Sequence, residues 1–255
     1  MRLRDKIALI TGASRNLGKA TALAFAREGA DLILNTRSNQ GELDAVAAEC
    51  RELGVRALPI LADVSNPDQV FSMVEQGLNH FGKIDILVSN AAIRPHKPIT
   101  ETSLEEWHQV MDVNLNASFY LCKAIVPSMI QQQSGSIITF GGMASVTGRP
   151  NTAAVTAAKS GVMGLVRSLA AELGPHGIRI NMVVPGSMAT ERRYPEWYPE
   201  YQETAVDDPE RLKSIPLRRQ GTPEELAAAC VFLASDESSY VTGDRLLCMG
   251  GRFLG

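Results

Sequence analysis

IALITGASRNLGKATALAFA, residues 7–26, runs a short apolar segment straight into a glycine turn and then into a helical pattern. Ile7–Thr11 is rich in β-formers and stops at Gly12, as a buried strand does, whereas Ala20, Leu23, Ala24 and Ala26 recur at helical spacing. A turn between a strand and a helix N-terminus gathers main-chain N–H groups and the positive end of the helix dipole at one point, which suits a phosphate. Gly12 permits the turn and Gly18 permits close approach. Glycines alone would equally make a plain βα turn, so it is the strand before and the helix after that favour a nucleotide site.

The same alternation continues along the chain. Apolar, β-rich runs recur at residues 32–35, 56–60, 84–89, 136–140, 178–184 and 246–249, separated by longer helical patterns. Unbroken apolar strands suit a parallel sheet covered on both faces, and right-handed crossovers then predict a doubly wound α/β fold of about seven strands. Gly29, Gly54 and Gly82 close helical runs as C′ residues, while Asn66-Pro67 and Thr222-Pro223 open them as N-cap and N1. Residues 187–221 break the pattern with prolines, charges and aromatics and read as a lid over the sheet. With 255 residues, 45% of them hydrophobic, one domain over residues 1–255 is expected.

Bulk properties narrow the function. A net charge of −3 without basic runs leaves no footprint for nucleic acid. Cys50, Cys122, Cys230 and Cys248 show neither CxxC nor Cys/His ligand spacing, so reduced, buried thiols are expected rather than a disulfide or a metal site. No apolar stretch approaches about 18 residues and nothing resembles a cleaved signal, so a soluble cytoplasmic protein with no membrane partner is expected.

TGASRNLGKA at residues 11–20 and GSIITFGGMASVTGRPNTAAVTAAKSG at residues 135–161 resemble the classical short-chain dehydrogenase/reductase family, and the likeness extends from Lys6 to about Gly251. The resemblance implies a Rossmann fold and a nicotinamide dinucleotide held by Gly12, Ser14, Arg15, Asn16, Leu17 and Gly18. It further implies an adenine contact at Asp63 and Val64, an Asn-Ala-Gly counterpart at Asn90, Ala91 and Ala92, and a nicotinamide-side turn at Pro185 and Gly186. A homo-oligomer, dimer or tetramer, built on the helices around residues 114–129 and 152–173 is implied as well. Asn16 stands where the family usually has glycine, and asparagine tolerates positive φ. Asp63 and Asn90 would also serve as plain turn and strand-end residues.

The end of the second strand discriminates between cofactors. No acid stands there to accept from an adenosine ribose; Thr36 and Arg37 follow Asn35, and Arg15 lies in the glycine turn. Two guanidinium groups suit a 2′-phosphate, which favours NADP(H) over NAD(H), the competing reading being that either arginine is simply solvated.

Chemistry is where the chain departs from the family. There a tyrosine exchanges a proton with the reacting oxygen, a lysine lowers the tyrosine's pKa and holds the nicotinamide ribose, a serine positions the oxygen and an asparagine helps hold a water relay. Asn114 and Lys159 occupy the asparagine and lysine positions as catalytic residues, but Gly142 and Val155 occupy those of serine and tyrosine. Losing a general acid typically costs about 10² to 10⁴ in rate. Lys159 alone can hold ribose hydroxyls or, if burial depresses its pKa, act as a base. Asn114 fits a relay or a structural amide at a helix kink. Ser145, Thr152 and Thr156 lie nearby without the required spacing.

Tyr194, Trp197, Tyr198 and Tyr201 crowd one stretch of the lid. They suit a substrate wall, with Tyr194 or Tyr198 as surrogate acid, or hydrophobic packing. Arg94 and His96 face the same pocket by family position and fit an anion clamp and a proton carrier, or solvated loop charges. The expected function is an NADP(H)-binding oxidoreductase acting on a small carbonyl, alcohol or activated double bond with a non-standard proton donor. A non-redox enzyme on this scaffold (lyase, dehydratase or hydrolase) and a noncatalytic NADP(H)-binding subunit are the alternatives.

Overall fold

The computed structural model describes residues 1–191, 194, 197 and 209–252, the side chains of Pro209 and Arg211 excepted; Tyr198 and Tyr201 lie outside the described residues. Strands β1 (Ile7–Thr11), β2 (Asp31–Thr36), β3 (Ala57–Leu61), β4 (Ile86–Ser89), β5 (Gly135–Phe140), β6 (Ile178–Pro185) and β7 (Arg245–Cys248) form one sheet in the order β3-β2-β1-β4-β5-β6-β7. Every neighbouring pair is parallel. The chain winds outward from β1 to β3, returns to place β4 beside β1, and winds outward the other way. This is the doubly wound sheet expected from the alternation.

Period-two alternation assigns each strand residue to a layer. Ile7 and Leu9 point into a core with Ile33, Leu87, Ile137 and Ile180, covered by α3 (Pro67–Phe81), α5 (Ala117–Gln132) and α7 (Ala153–Leu173). Ala8 and Ile10 point the opposite way, into a core with Leu32, Leu34, Val88 and Val183, covered by α1 (Asn16–Arg27), α2 (Gln40–Glu52) and α9 (Pro223–Ala234). The strands read as unbroken apolar runs because both faces are roofed by helices. All four cysteines are free, and burial pushes Cys50 up to about 11 and Cys122 and Cys230 up to about 12, which keeps them protonated. Among the described residues no helix is long and apolar enough to cross a membrane.

Differences from expectation are local. The run at 84–89 yields a strand only from Ile86, because Asp85 turns its carboxylate onto the Ile7 N–H at 2.8 Å and onto Lys83. The final strand starts at Arg245, one residue before the apolar run, since pairing is set by the backbone while Arg245 itself stays exposed. Gly82 is the left-handed cap itself, at φ 81°, rather than the residue beyond it. Between α4 (Leu104–Met111) and α5 lies a π-helical turn, Asp112–Asn116, so the helix expected around residue 114 carries a widened turn there. The short helices α6 (Ala144–Thr147) and α8 (Pro209–Lys213) complete the described elements. The ends of the 187–221 segment are tied together: Ala189 N–H donates to Gly221 O at 2.9 Å and Gly221 N–H to Ser187 O at 3.0 Å.

Phe25 is wholly buried in α1 between the sheet and its neighbouring helices. Phe25→Ala should cost about 3–5 kcal/mol of unfolding free energy, read from urea titration, through the cavity it leaves.

Candidate active site

The site lies at the carboxyl ends of β1 and β4, where the winding direction reverses and a crevice opens. Thr11 and Asn90 brace that crevice. Thr11 Oγ1 accepts from the main-chain N–H of Asn90 at 3.0 Å and of Ala91 at 3.1 Å, while Asn90 Nδ2 donates to the carbonyls of Thr11 at 2.9 Å and Gly12 at 3.1 Å. Gly12, at φ +65°, and Gly18 are held against this brace: a Cβ on Gly18 would stand 2.0 Å from Gly12 O. The turn is therefore open only because two side chains are missing.

Around its rim, Ser14 Oγ lies 3.4 Å from Thr36 Oγ1 and the Leu17 carbonyl accepts from Thr21 Oγ1 at 2.7 Å. Arg15 is partly buried, and its Nη1 is fully buried without a hydrogen-bond partner among the described residues. Arg37 follows β2 in solvent and has no side-chain hydrogen bond or ion pair among the described residues. Asp63 Oδ1 accepts from Ser65 N and Oγ at 2.9 and 2.6 Å, and Val64 is buried in the α3-side core. Gly186, after Pro185, donates its N–H to Cys248 O at 2.9 Å, and a Cβ there would meet Met249 Cα at 2.7 Å.

Asn16 makes a contact that sequence reasoning missed. At φ 49° its Nδ2 donates to Glu191 O at 3.0 Å and its Oδ1 accepts from Glu191 N–H at 3.0 Å. Arg15 lies 5.5 Å from the centre of the Tyr194 ring, Tyr194 stacks on Trp197 with ring centres 4.3 Å apart, and Trp197 O accepts from His96 N–H at 3.0 Å. Tyr194, Trp197 and His96 are thus brought together beside the turn, while Tyr198 lies outside the described residues.

On the other side of the crevice, Lys159 is buried and its Nζ donates to Phe140 O at 2.7 Å. Val155, one helical turn earlier on the same face of α7, packs with Val110, Ala154 and Ala158 against Ile93, Trp107 and Met111. Gly142 leaves space: a Cβ there would have Lys159 Cγ, at 4.0 Å, as its near neighbour. Asn114, in the π-helical turn, closes both hydrogen bonds on one peptide, accepting from Ile93 N–H at 2.9 Å and donating to Ile93 O at 2.8 Å. The other nearby hydroxyls are engaged locally, Ser145 with Gly142 O at 2.7 Å and Thr152 with Arg149 O at 2.8 Å.

A family model described as enoyl-(acyl carrier protein) reductase matches residues 12–252. The 3-oxoacyl-[acyl-carrier-protein] reductase FabG of Thermotoga maritima is 40% identical over 253 residues, covering 98% of this chain and 99% of that protein. A short-chain type dehydrogenase/reductase from Mycobacterium marinum superposes with a TM-score of 0.88 at 36% identity, covering 99% of this chain and 97% of the other. The chain belongs to the short-chain dehydrogenase/reductase family. An NAD+-bound xylitol dehydrogenase of similar structure has a TM-score of 0.90 at 32% identity, covering 98% of this chain and 100% of that one.

Within this family member, Lys159 is the buried titratable group bordering both Gly142 and Val155. Burial, reinforced by the positive charge of Arg94, lowers its pKa from the ordinary 10.5 to about 7. Between about 7 and 10.5 the unfolded chain therefore holds a proton that the folded chain has released, so this group's contribution to stability rises with pH. Relative to Lys159→Met, the nucleotide-free wild type should gain up to about 1.4 kcal/mol per pH unit across that window, measured by denaturant titration at several pH values.

Proposed function

We propose that this protein is an NADP(H)-dependent oxidoreductase that reduces a small carbonyl or activated double bond, or oxidises the matching alcohol, and that Lys159 carries the proton an absent tyrosine would carry. One observation carries the reading: a glycine cradle with no room for a side chain, rimmed by a buried Arg15 Nη1 that has no hydrogen-bond partner among the described residues. An unsatisfied buried donor costs about 1–3 kcal/mol, and a phosphate oxygen would relieve it. The residues fit a dinucleotide. The main chain of residues 12–18 would take the pyrophosphate, Asp63 and Val64 the adenine, Asn90 and Ala91 the adjoining ribose, and Pro185 and Gly186 the nicotinamide side. Such a cofactor, when bound, supplies or accepts the hydride.

Arg15 and Arg37, with no acid at the end of β2, support a preference for the 2′-phosphorylated cofactor. Xylitol dehydrogenase was solved with NAD+, so the fold alone does not settle the choice and the two arginines carry it.

Lys159 offers three donor positions, one of them engaged by Phe140 O. The others would hold a ribose hydroxyl and the substrate oxygen. In reduction the ammonium gives its proton to that oxygen and is left as an amine, which water reprotonates. A pKa of about 7 suits both states near neutrality, so kcat/KM for reduction falls as pH rises through that value. Asn114 fixes the loop at Ile93 and hence the wall that carries Arg94 and His96. Assembly as a homo-oligomer through α5 and α7 completes the reading.

Absorbance at the reduced-nicotinamide band should fall with a member of a carbonyl panel that includes a 3-oxoacyl thioester. Turnover of a panel member without that change would point to a lyase, dehydratase or hydrolase, and co-purification of a tyrosine-bearing relative would point to a noncatalytic subunit. Arg37→Ala should weaken NADPH binding about tenfold to a hundredfold and leave NADH binding unchanged, read by nucleotide fluorescence titration.

Gly142→Ser combined with Val155→Tyr should raise carbonyl reduction by about 10² or more. An inert but folded double variant would mean that more than these two groups separates the chain from ordinary reductases.

A further inference from the structure

We infer that Asn16 is a positioning residue that fastens the substrate-side segment, at Glu191, directly onto the nucleotide turn. Two residues 175 positions apart meet in a reciprocal pair, each 3.0 Å long: side-chain amide to main-chain carbonyl, and main-chain N–H to side-chain oxygen. A carboxamide is the short side chain that brings one donor and one acceptor together, so it reads a peptide group as a neighbouring strand would. Aspartate would set a carboxylate against Glu191 O, and glycine would offer nothing. Asparagine also accepts the φ of 49° that this position requires. Both properties explain this residue where the family pattern has glycine.

A second tether runs in parallel. Arg15, adjacent to Asn16, lies beneath Tyr194; Tyr194 stacks on Trp197 at 4.3 Å and 20°, and Trp197 O takes the His96 N–H. Glu191 and Tyr194 are thus held to the phosphate turn, and Trp197 to the loop bearing Arg94 and His96. A nucleotide seated on the turn that carries Arg15 and Asn16 touches the anchor of this segment, so nucleotide and substrate affinities become linked, and the linkage is reciprocal. The residue responsible touches no reacting atom.

This linkage rests on the nucleotide reading above, whereas the clamp itself is tested without it. Trypsin sites at Arg192 and Arg193 follow Glu191 directly. Asn16→Gly keeps a residue at ease with positive φ and deletes only the clamp. Its cleavage there should be about tenfold faster than wild type in nucleotide-free protein, with little change in melting temperature, because proteolysis follows the population of the locally open form. Glu191→Pro removes the N–H from the opposite side but keeps the carbonyl, so it should speed cleavage part of the way, and the double variant should add nothing beyond Asn16→Gly. In turnover, Asn16→Gly should raise the substrate KM several-fold while kcat changes less. Wild-type cleavage rates in both folded single variants would overturn the inference, as would full additivity in the double variant. A silent substrate panel would remove the oxidoreductase reading and leave the proteolytic comparison standing.

Discussion

The hydrogen bonds exchanged by Thr11 and Asn90 hold the two halves of the sheet at a fixed spacing where their winding reverses, and the site is shaped around them. The Asn90 carboxamide nitrogen would lie 2.8 Å from a Cβ on either Gly12 or Gly18. The glycines are required by that amide as much as by any ligand. Thr11 is fully buried and its hydroxyl is saturated by two main-chain donors and the Val88 carbonyl. A buried polar network satisfied this completely is rigid, so the cradle is formed before anything binds.

Opposite this rigid half, the chemical wall has traded polarity for packing. There Val155 joins a small apolar cluster reaching to Trp107 and Met111, and Gly142 contributes no side chain. What stays is a lysine drawn out of water. Its amine retains one strong hydrogen bond, to Phe140 O, and loses much of its hold on a proton.

Legibility in the sequence tracked the range of each interaction. The strand Ile7–Thr11, the caps at Asn66 and Thr222 and the glycine turn were readable because apolar period, capping and backbone freedom are local properties of a few adjacent residues. The start of β4 was misread because Asp85 diverts a carboxylate onto a residue 78 positions away. The π-helical turn at Asp112–Asn116 was legible only as a helix kink braced by the Asn114 amide; that amide's partner, Ile93, is distant in sequence and was not. The Asn16–Glu191 pair was invisible for the same reason, since an asparagine in a turn already has a sufficient local explanation in its tolerance of positive φ. A lowered Lys159 pKa could be read only as conditional on burial, and the burial itself depends on how α7 packs against the end of β5.

The paired ends of the 187–221 segment bear on how such a scaffold diversifies. With Ala189 and Ser187 bonded to Gly221, the segment leaves the sheet and returns to it through a closed neck. Loop-closure entropy grows only logarithmically with length, so residues can be inserted, deleted or exchanged beyond that neck at little expense to the sheet. Length and composition beyond that neck can therefore change while the Thr11–Asn90 frame stays as it is.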